Sequence, residues 1–188
     1  IETASPEKRT VMWVPTFSEE QWRRLGFAMY GALGASREEI EPLVDVLVTG
    51  SLCGIDSHGV REYPRYVLDV QRGRVRLGAE MRVVREAQAV ALLDAAHAFG
   101  FVAAKRAMEI AIEKAGVCGV GSCGILHCGH IGNLFHYLRM ALRHDMVGVA
   151  LCRGGTTVVP DGGTGRRTGT NPIGISIPAG DERPIILD

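Results

Sequence analysis

Gly54-Ile55-Asp56-Ser57-His58-Gly59-Val60, followed closely by Tyr63-Pro64-Arg65-Tyr66, is the stretch on which the reading of this chain turns. It sets one imidazole beside a hydroxyl and a glycine, at the end of a strongly apolar segment running from Leu43 to Leu52. A histidine so placed can titrate near neutral pH and exchange a proton with a bound molecule. It would also serve a plainer purpose, because a partly positive ring is favoured at a helix C-terminus. The surrounding chain has to decide between the two.

Upstream, Ser18-Glu19-Glu20-Gln21 has the form of a capping box, and Trp22, Leu25, Met29 and Leu33 then fall on one helical face. Ser36-Arg37-Glu38-Glu39 repeats the signal, with Ile40, Leu43, Val44 and Leu47 behind it. A third helix is expected from about Arg61 or Pro64 to Gln71, ending at Gly73. Downstream the period changes. Met81 to Val84 and Ala89 to Leu93 read as strands, Phe101 to Lys114 as an alanine-rich helix closed by Gly116, and Val117 to Leu126 as a glycine-punctuated strand. Leu134 to Arg143 reads as a helix, and Met146 to Cys152, Ile173 to Ile177 and Ile185 to Leu187 as strands. The expected organisation is a polar arm over 1–15, a helical segment over 16–75 and an α/β domain over 76–188.

Composition narrows the function classes. At 188 residues and 46% hydrophobic content the chain can bury one good core. Lysine plus arginine and aspartate plus glutamate both number 21, so there is no basic excess of the kind nucleic-acid binding needs. No apolar run is long enough to span a bilayer and no signal-peptide pattern opens the chain. It begins at Ile1 rather than methionine, which suggests a processed or displaced start. Five cysteines, with Cys118, Cys123 and Cys128 crowded together, point to reduced thiols and a cytoplasmic setting.

Three further segments can carry chemistry. His97, in Asp94-Ala95-Ala96-His97-Ala98-Phe99-Gly100, could be a ligand, but a partly buried structural role is favoured because its neighbours are alanines. His127-Cys128-Gly129-His130-Ile131-Gly132 occupies a strand-to-helix turn. With Cys123 it holds potential metal ligands, yet the paired cysteines of structural zinc sites are missing, and no metal is expected. Val159-Pro160-Asp161-Gly162-Gly163, then Gly169-Thr170-Asn171-Pro172-Ile173, allows close backbone approach to a ligand, and Arg166 and Arg167 add positive charge suited to a carboxylate or phosphate. The alternative there is a solvated surface loop.

Taken in order, these segments resemble the malate/L-lactate dehydrogenase family of NAD(P)-dependent 2-hydroxyacid oxidoreductases, which is unrelated to the Rossmann-type lactate dehydrogenases. The resemblance runs over residues 18 to 188. It is carried by the Asp56-Ser57-His58-Gly59-Val60 run with Pro64-Arg65-Tyr66, and by Ala107-Met108 and Ala111 to Ala115. The His130 turn with the Asp145 to Ala150 strand, Pro160-x-Gly162-Gly163, Thr170-Asn171-Pro172 and Ile186-Leu187-Asp188 continue it. It implies an α/β fold in which a helical segment precedes a mixed-sheet domain, incomplete at its C-terminus. It further implies interconversion of a small 2-oxo acid, or an imine, with its 2-hydroxy or amino counterpart. His58 is the first choice for proton exchange and His130 the second, with Ser57 orienting His58. Arg61 or Arg65 would hold the substrate carboxylate, with Thr170 beside it. Pro160, Gly162, Gly163, Asn171, Pro172 and Asp188 would line the site for NAD or NADP. A homodimer is implied as well.

Departures from the family pattern open other readings. His127 and Gly129 stand where asparagines are usual, and Glu62 stands where the family has a carboxylate-binding arginine. Arg61 comes one position early, which on a helix turns a side chain by about 100°, while a glutamate at 62 would repel a carboxylate. Family members continue beyond the position of Asp188, so a second chain or a C-terminal segment is expected to complete the fold. One alternative is a two-chain processed enzyme that uses a new N-terminal nucleophile after Asp188 for acyl transfer. Another is a non-catalytic paralogue that pairs with a complete subunit.

Overall fold

A computed structural model describes residues 16–188; the arm expected over 1–15 lies outside the described residues. Both capping boxes form. Ser18 Oγ accepts from Gln21 N–H at 3.2 Å while Gln21 Oε1 accepts from Ser18 N–H at 2.7 Å, starting helix α1 (Glu19–Gly31). Ser36 and Glu39 repeat the exchange at 3.3 and 2.9 Å at the head of α2 (Arg37–Leu52). Each box satisfies two backbone donors that a helix start would leave without partners. Two 3-10 turns follow, Asp56–His58 and Val60–Glu62, and then helix α3 (Tyr63–Gln71), whose first turn takes Pro64 at no hydrogen-bonding cost.

Strands β1 (Arg82–Glu86) and β2 (Val90–Asp94) pair antiparallel. Helix α4 (Gly100–Cys118) then crosses over to β3 (Ser122–Leu126), which lies parallel to β2. Helix α5 (Phe135–Leu142) precedes β4 (Gly148–Leu151), β5 (Ile173–Ile177) and β6 (Ile185–Leu187), all antiparallel. The expected α/β class holds, but its strands divide: β1-β2-β3 is a mixed sheet and β4-β5-β6 a separate antiparallel one. The helix expected to close at Gly116 runs on to Cys118, and the following strand is correspondingly shorter. The stop is Gly119, which supplies the left-handed C-cap at φ 77°, whereas Gly116 sits inside the helix at a cost of about 1 kcal/mol.

One apolar cluster joins Tyr30, Leu43, Leu47 and Tyr66 to Phe99, Phe101 and Tyr137, so α1 to α5 share a core. A smaller one sets Ala91 and Leu93 of β2 against Ala107 and Ile110 of α4. Helix α5 lies on the second sheet only because the facing residues are small. A Cβ on Gly174 would come within 2.8 Å of Leu138, and one on Gly148 within 3.0 Å of Ala141. Ser176, fully buried, donates to the Leu138 carbonyl at 3.0 Å. The opposite face of that sheet carries Val149, Leu151, Ile173, Ile177 and Ile185, all exposed.

Candidate active site

His58 ends the first 3-10 turn, directly beyond α2. Glycines bring it back against that helix: a Cβ on Gly50 would lie 2.5 Å from the His58 carbonyl, and one on Gly59 2.2 Å from Ser51 Oγ. Ser51 Oγ in turn accepts from Val60 N–H at 3.0 Å. The sequence Gly59-Val60 after the histidine is therefore a packing requirement as much as a motif. Ser57 Oγ lies 3.0 Å from His58 Nδ1, which leaves Nε2 for another partner.

His130 comes from the turn after β3. Gly100, the first residue of α4, packs beneath it, where a Cβ would meet the carbonyl oxygens of His130 and Gly129 at 2.3 and 2.7 Å. Gly132, at φ 74°, turns the chain onto Val46 and Phe101. The fold thus brings together two histidines that are far apart in sequence. Their rings stack with centroids 5.5 Å apart and 24° between planes. Tyr66 joins them, its hydroxyl 2.7 Å from His130 Nδ1 and its ring 6.1 Å from the imidazole. Burial, with Arg65 and His58 nearby, lowers the His130 pKa to about 4.

A cleft of about 350 Å³ opens beside His130, lined by Arg65, Tyr66, Asp69, Arg72 and Arg74. Three guanidinium groups face one carboxylate there, so the cleft favours anions. Arg65 bonds Glu62 at 3.2 Å, approaches Asp69 at 4.0 Å and covers Tyr66 at 5.6 Å. Glu62 is therefore engaged by Arg65 rather than standing alone against a carboxylate. Arg61 is exposed and makes no ion pair among the described residues.

The glycine-rich loop forms a separate feature. A Val158–Thr168 bridge closes it, and Gly163 N–H donates to the Pro160 carbonyl across Gly162 at φ 69°. Pro160, Gly162 and Gly163 make its exposed tip, with Arg166 and Arg167 also exposed. Asn171 is a staple: its Oδ1 accepts from Gly154 N–H at 3.0 Å and its Nδ2 donates to Thr168 Oγ1 at 3.3 Å. Pro172 offers its carbonyl to Cys152, and Thr170 is exposed. Asp188 Oδ2 accepts from Leu134 N–H at 2.7 Å and Phe135 N–H at 2.8 Å, capping α5. Among the described residues no hydrogen bond or ring contact joins Thr170, Asn171 or the loop tip to His58 or His130.

His97 differs from expectation. It is exposed, because Ala96 and His97 both adopt left-handed backbone (φ 48° and 64°) and turn the ring outward. Its ring lies 5.3 Å from that of His127, whose Nδ1 is 2.9 Å from Asp94. Among the described residues no three metal-ligating side chains converge. Tyr66 belongs to the Pro64-Arg65-Tyr66 run, yet the sequence assigns it no role, and Arg72 and Arg74 carry no functional signal at all. A tyrosine at helical spacing reads as core, and its partner here lies 64 residues away.

Known proteins resemble this chain over most of its described length. The family model for malate/L-lactate dehydrogenase matches residues 17–188. The malate/(S)-sulfolactate dehydrogenase of Methanothermus fervidus is 37% identical over 164 residues, covering 87% of this chain and 48% of the relative. The solved malate dehydrogenase from Pyrococcus horikoshii superposes with a TM-score of 0.87 at 33% identity, covering 90% of this chain and 49% of that one. A delta1-piperideine-2-carboxylate reductase from Pseudomonas syringae pvar. tomato gives 0.84 at 27% identity, covering 93% and 53%. The chain spans about half the length of the curated relatives it matches. With the helical segment, both sheets and the two-histidine site inside the matched span, the chain belongs to the malate/L-lactate dehydrogenase family.

Proposed function

We propose that the protein to which this chain contributes is an NAD- or NADP-dependent oxidoreductase that interconverts a small 2-oxo acid, or a cyclic or open imine, with its 2-hydroxy or amino counterpart. One observation carries the reading: two stacked imidazoles stand beside a cleft whose guanidinium groups outnumber its carboxylates. His58 exchanges the proton with the substrate oxygen or nitrogen through Nε2, since Ser57 occupies the Nδ1 side. Arg65, with Arg61 exposed nearby, takes the substrate carboxylate, and Thr170 contributes a hydroxyl.

A dinucleotide suits the residues present. The tip over Pro160, Gly162 and Gly163 offers open backbone at φ 69°, and exposed Arg166 and Arg167 supply charge for phosphate. Asn171, Pro172 and Asp188 support this region by stitching the loop and capping α5 rather than by offering free donors. When bound, the nicotinamide supplies the hydride.

We further propose that additional polypeptide, continuous with this chain or supplied by another subunit, covers the outer face of β4-β5-β6, where Leu151 and Ile185 are 73% and 62% exposed. Homo-oligomerisation fits the same face. All five cysteines are free, which supports a reducing, cytoplasmic setting, and no helix is long and apolar enough to cross a membrane among the described residues.

The test is turnover of malate and related 2-hydroxy acids with NAD or NADP, followed by nicotinamide absorbance. His58→Ala should reduce turnover by at least about a hundredfold while dinucleotide binding, read by fluorescence titration, stays nearly intact. Lost binding with turnover retained would reverse the role given to His58.

A further inference from the structure

We propose that Tyr66 is a positioning residue for His130: with the Gly132 N–H, its hydroxyl holds that imidazole in the tautomer carrying its proton on Nε2, and this N–H is offered to the cleft as a hydrogen-bond donor. The donor role rests on the dehydrogenase reading; the tautomer rests on geometry alone.

The Gly132 N–H can only donate, and it lies 3.2 Å from His130 Nδ1, so that nitrogen presents a lone pair. Tyr66 Oη, 2.7 Å from the same nitrogen, must then donate too. A proton on Nδ1 would face two donors, so the ring keeps its proton on Nε2. An imidazolium, a donor at both nitrogens, would oppose the Gly132 N–H directly.

Tyr66 is itself held firmly. It is 2% exposed, meets Phe101 edge-on at 5.0 Å and 81°, and lies under the Arg65 guanidinium. Burial pushes its phenol above the usual range, so it stays a donor. The ionisable groups facing His130 are Arg65, Glu62 and Asp69 from α3 and its flank, and His58 from the turn after α2. Burial, Arg65 and His58 disfavour the charged ring, while Glu62 and Asp69 favour it, and the balance falls at about 4.

A ring whose Nδ1 is taken by two donors keeps its proton on Nε2, which leaves proton exchange to His58 in this reading. His130 instead polarises the reacting carbonyl with a fixed N–H, which costs no reorganisation during reaction. On this reading His130 is not the alternative candidate for proton exchange but a fixed donor beside His58. Both Tyr66 and His130 line the cleft, which puts the fixed group where an anionic substrate collects.

The experiment uses the full-length protein with 15N-labelled imidazoles. Long-range proton–nitrogen spectra should show His130 protonated on Nε2, without titration between about pH 5 and 8. Tyr66→Phe, which keeps the ring packing, should yield a mixture of tautomers and an about tenfold fall in kcat, the scale of one hydrogen bond. A proton on Nδ1 in the unmodified protein, titration within that range, or an unchanged tautomer in Tyr66→Phe would each overturn the inference. Malate turnover with NAD or NADP is read separately. Its absence from the unmodified protein would sink the dehydrogenase reading and the donor role, while the spectra still judge the tautomer.

Discussion

His130 and His136 are half-buried imidazoles, each with its pKa lowered to about 4, chiefly by burial. The folded protein holds both rings neutral, whereas the unfolded chain protonates them near 6.5. As pH falls through that value, the unfolded state takes up protons first and stability declines, until the folded rings also protonate near 4. Between these limits each ring should cost about 1.4 kcal/mol for every pH unit of acidification, so by pH 5 the pair together removes about 4 kcal/mol. Urea midpoints measured at pH 7 and pH 5 check this; His136→Gln should flatten the dependence, and an unchanged slope would count against it. At this scale the sequence was partly readable. His58 and His130 stood out within glycine-punctuated runs, and the structure explains two of the neighbouring glycines as close approaches, Gly59 to Ser51 and Gly132 to Val46 and Phe101. The contacts of Tyr66 and Asp94 and the outward ring of His97 did not stand out, because each depends on a distant partner or a left-handed backbone that local pattern does not encode.

The helices were the most readable elements, since a capping box needs only residues three apart, and both Ser18 and Ser36 close theirs. Helix ends were harder: Gly116 and Gly119 are equivalent as letters, and only the backbone angle tells which one stops α4. The division into two sheets was hidden for a similar reason. Apolar strands announce themselves, but their partners are chosen by α4 and α5, which cover one sheet each. Asp188 illustrates the limit. Its place in a family motif suggests a cofactor contact, but motif alone does not reveal that its carboxylate accepts from Leu134 and Phe135 N–H at the head of α5. Asp188→Ala should therefore destabilise the protein by about 1 kcal/mol or somewhat more, as charged caps do. Thermal melts with Asp188→Asn alongside would separate cap from charge, and an Ala variant as stable as the parent would refute the assignment.

Across the whole molecule, the unequal faces of β4-β5-β6 matter most. Small residues meet α5 on one side, while Leu151 pairs with Ile173, and Ile177 with Ile185, on the open side. An apolar sheet face of this kind invites association. The 188-residue chain alone should bind an apolar dye and sediment as concentration-dependent oligomers, and Leu151→Lys with Ile173→Lys should suppress both. A monodisperse, dye-silent chain would argue that the face is already tolerable in water. The same unit has a temporal side. Leu134 and Asp188 are 54 residues apart, so at usual synthesis rates roughly 3 to 11 s separate their addition to the nascent chain. During that interval α5 waits on the ribosome with its leading amides unclaimed, and only the arrival of one carboxylate latches it, making translation itself the clock for this half of the molecule.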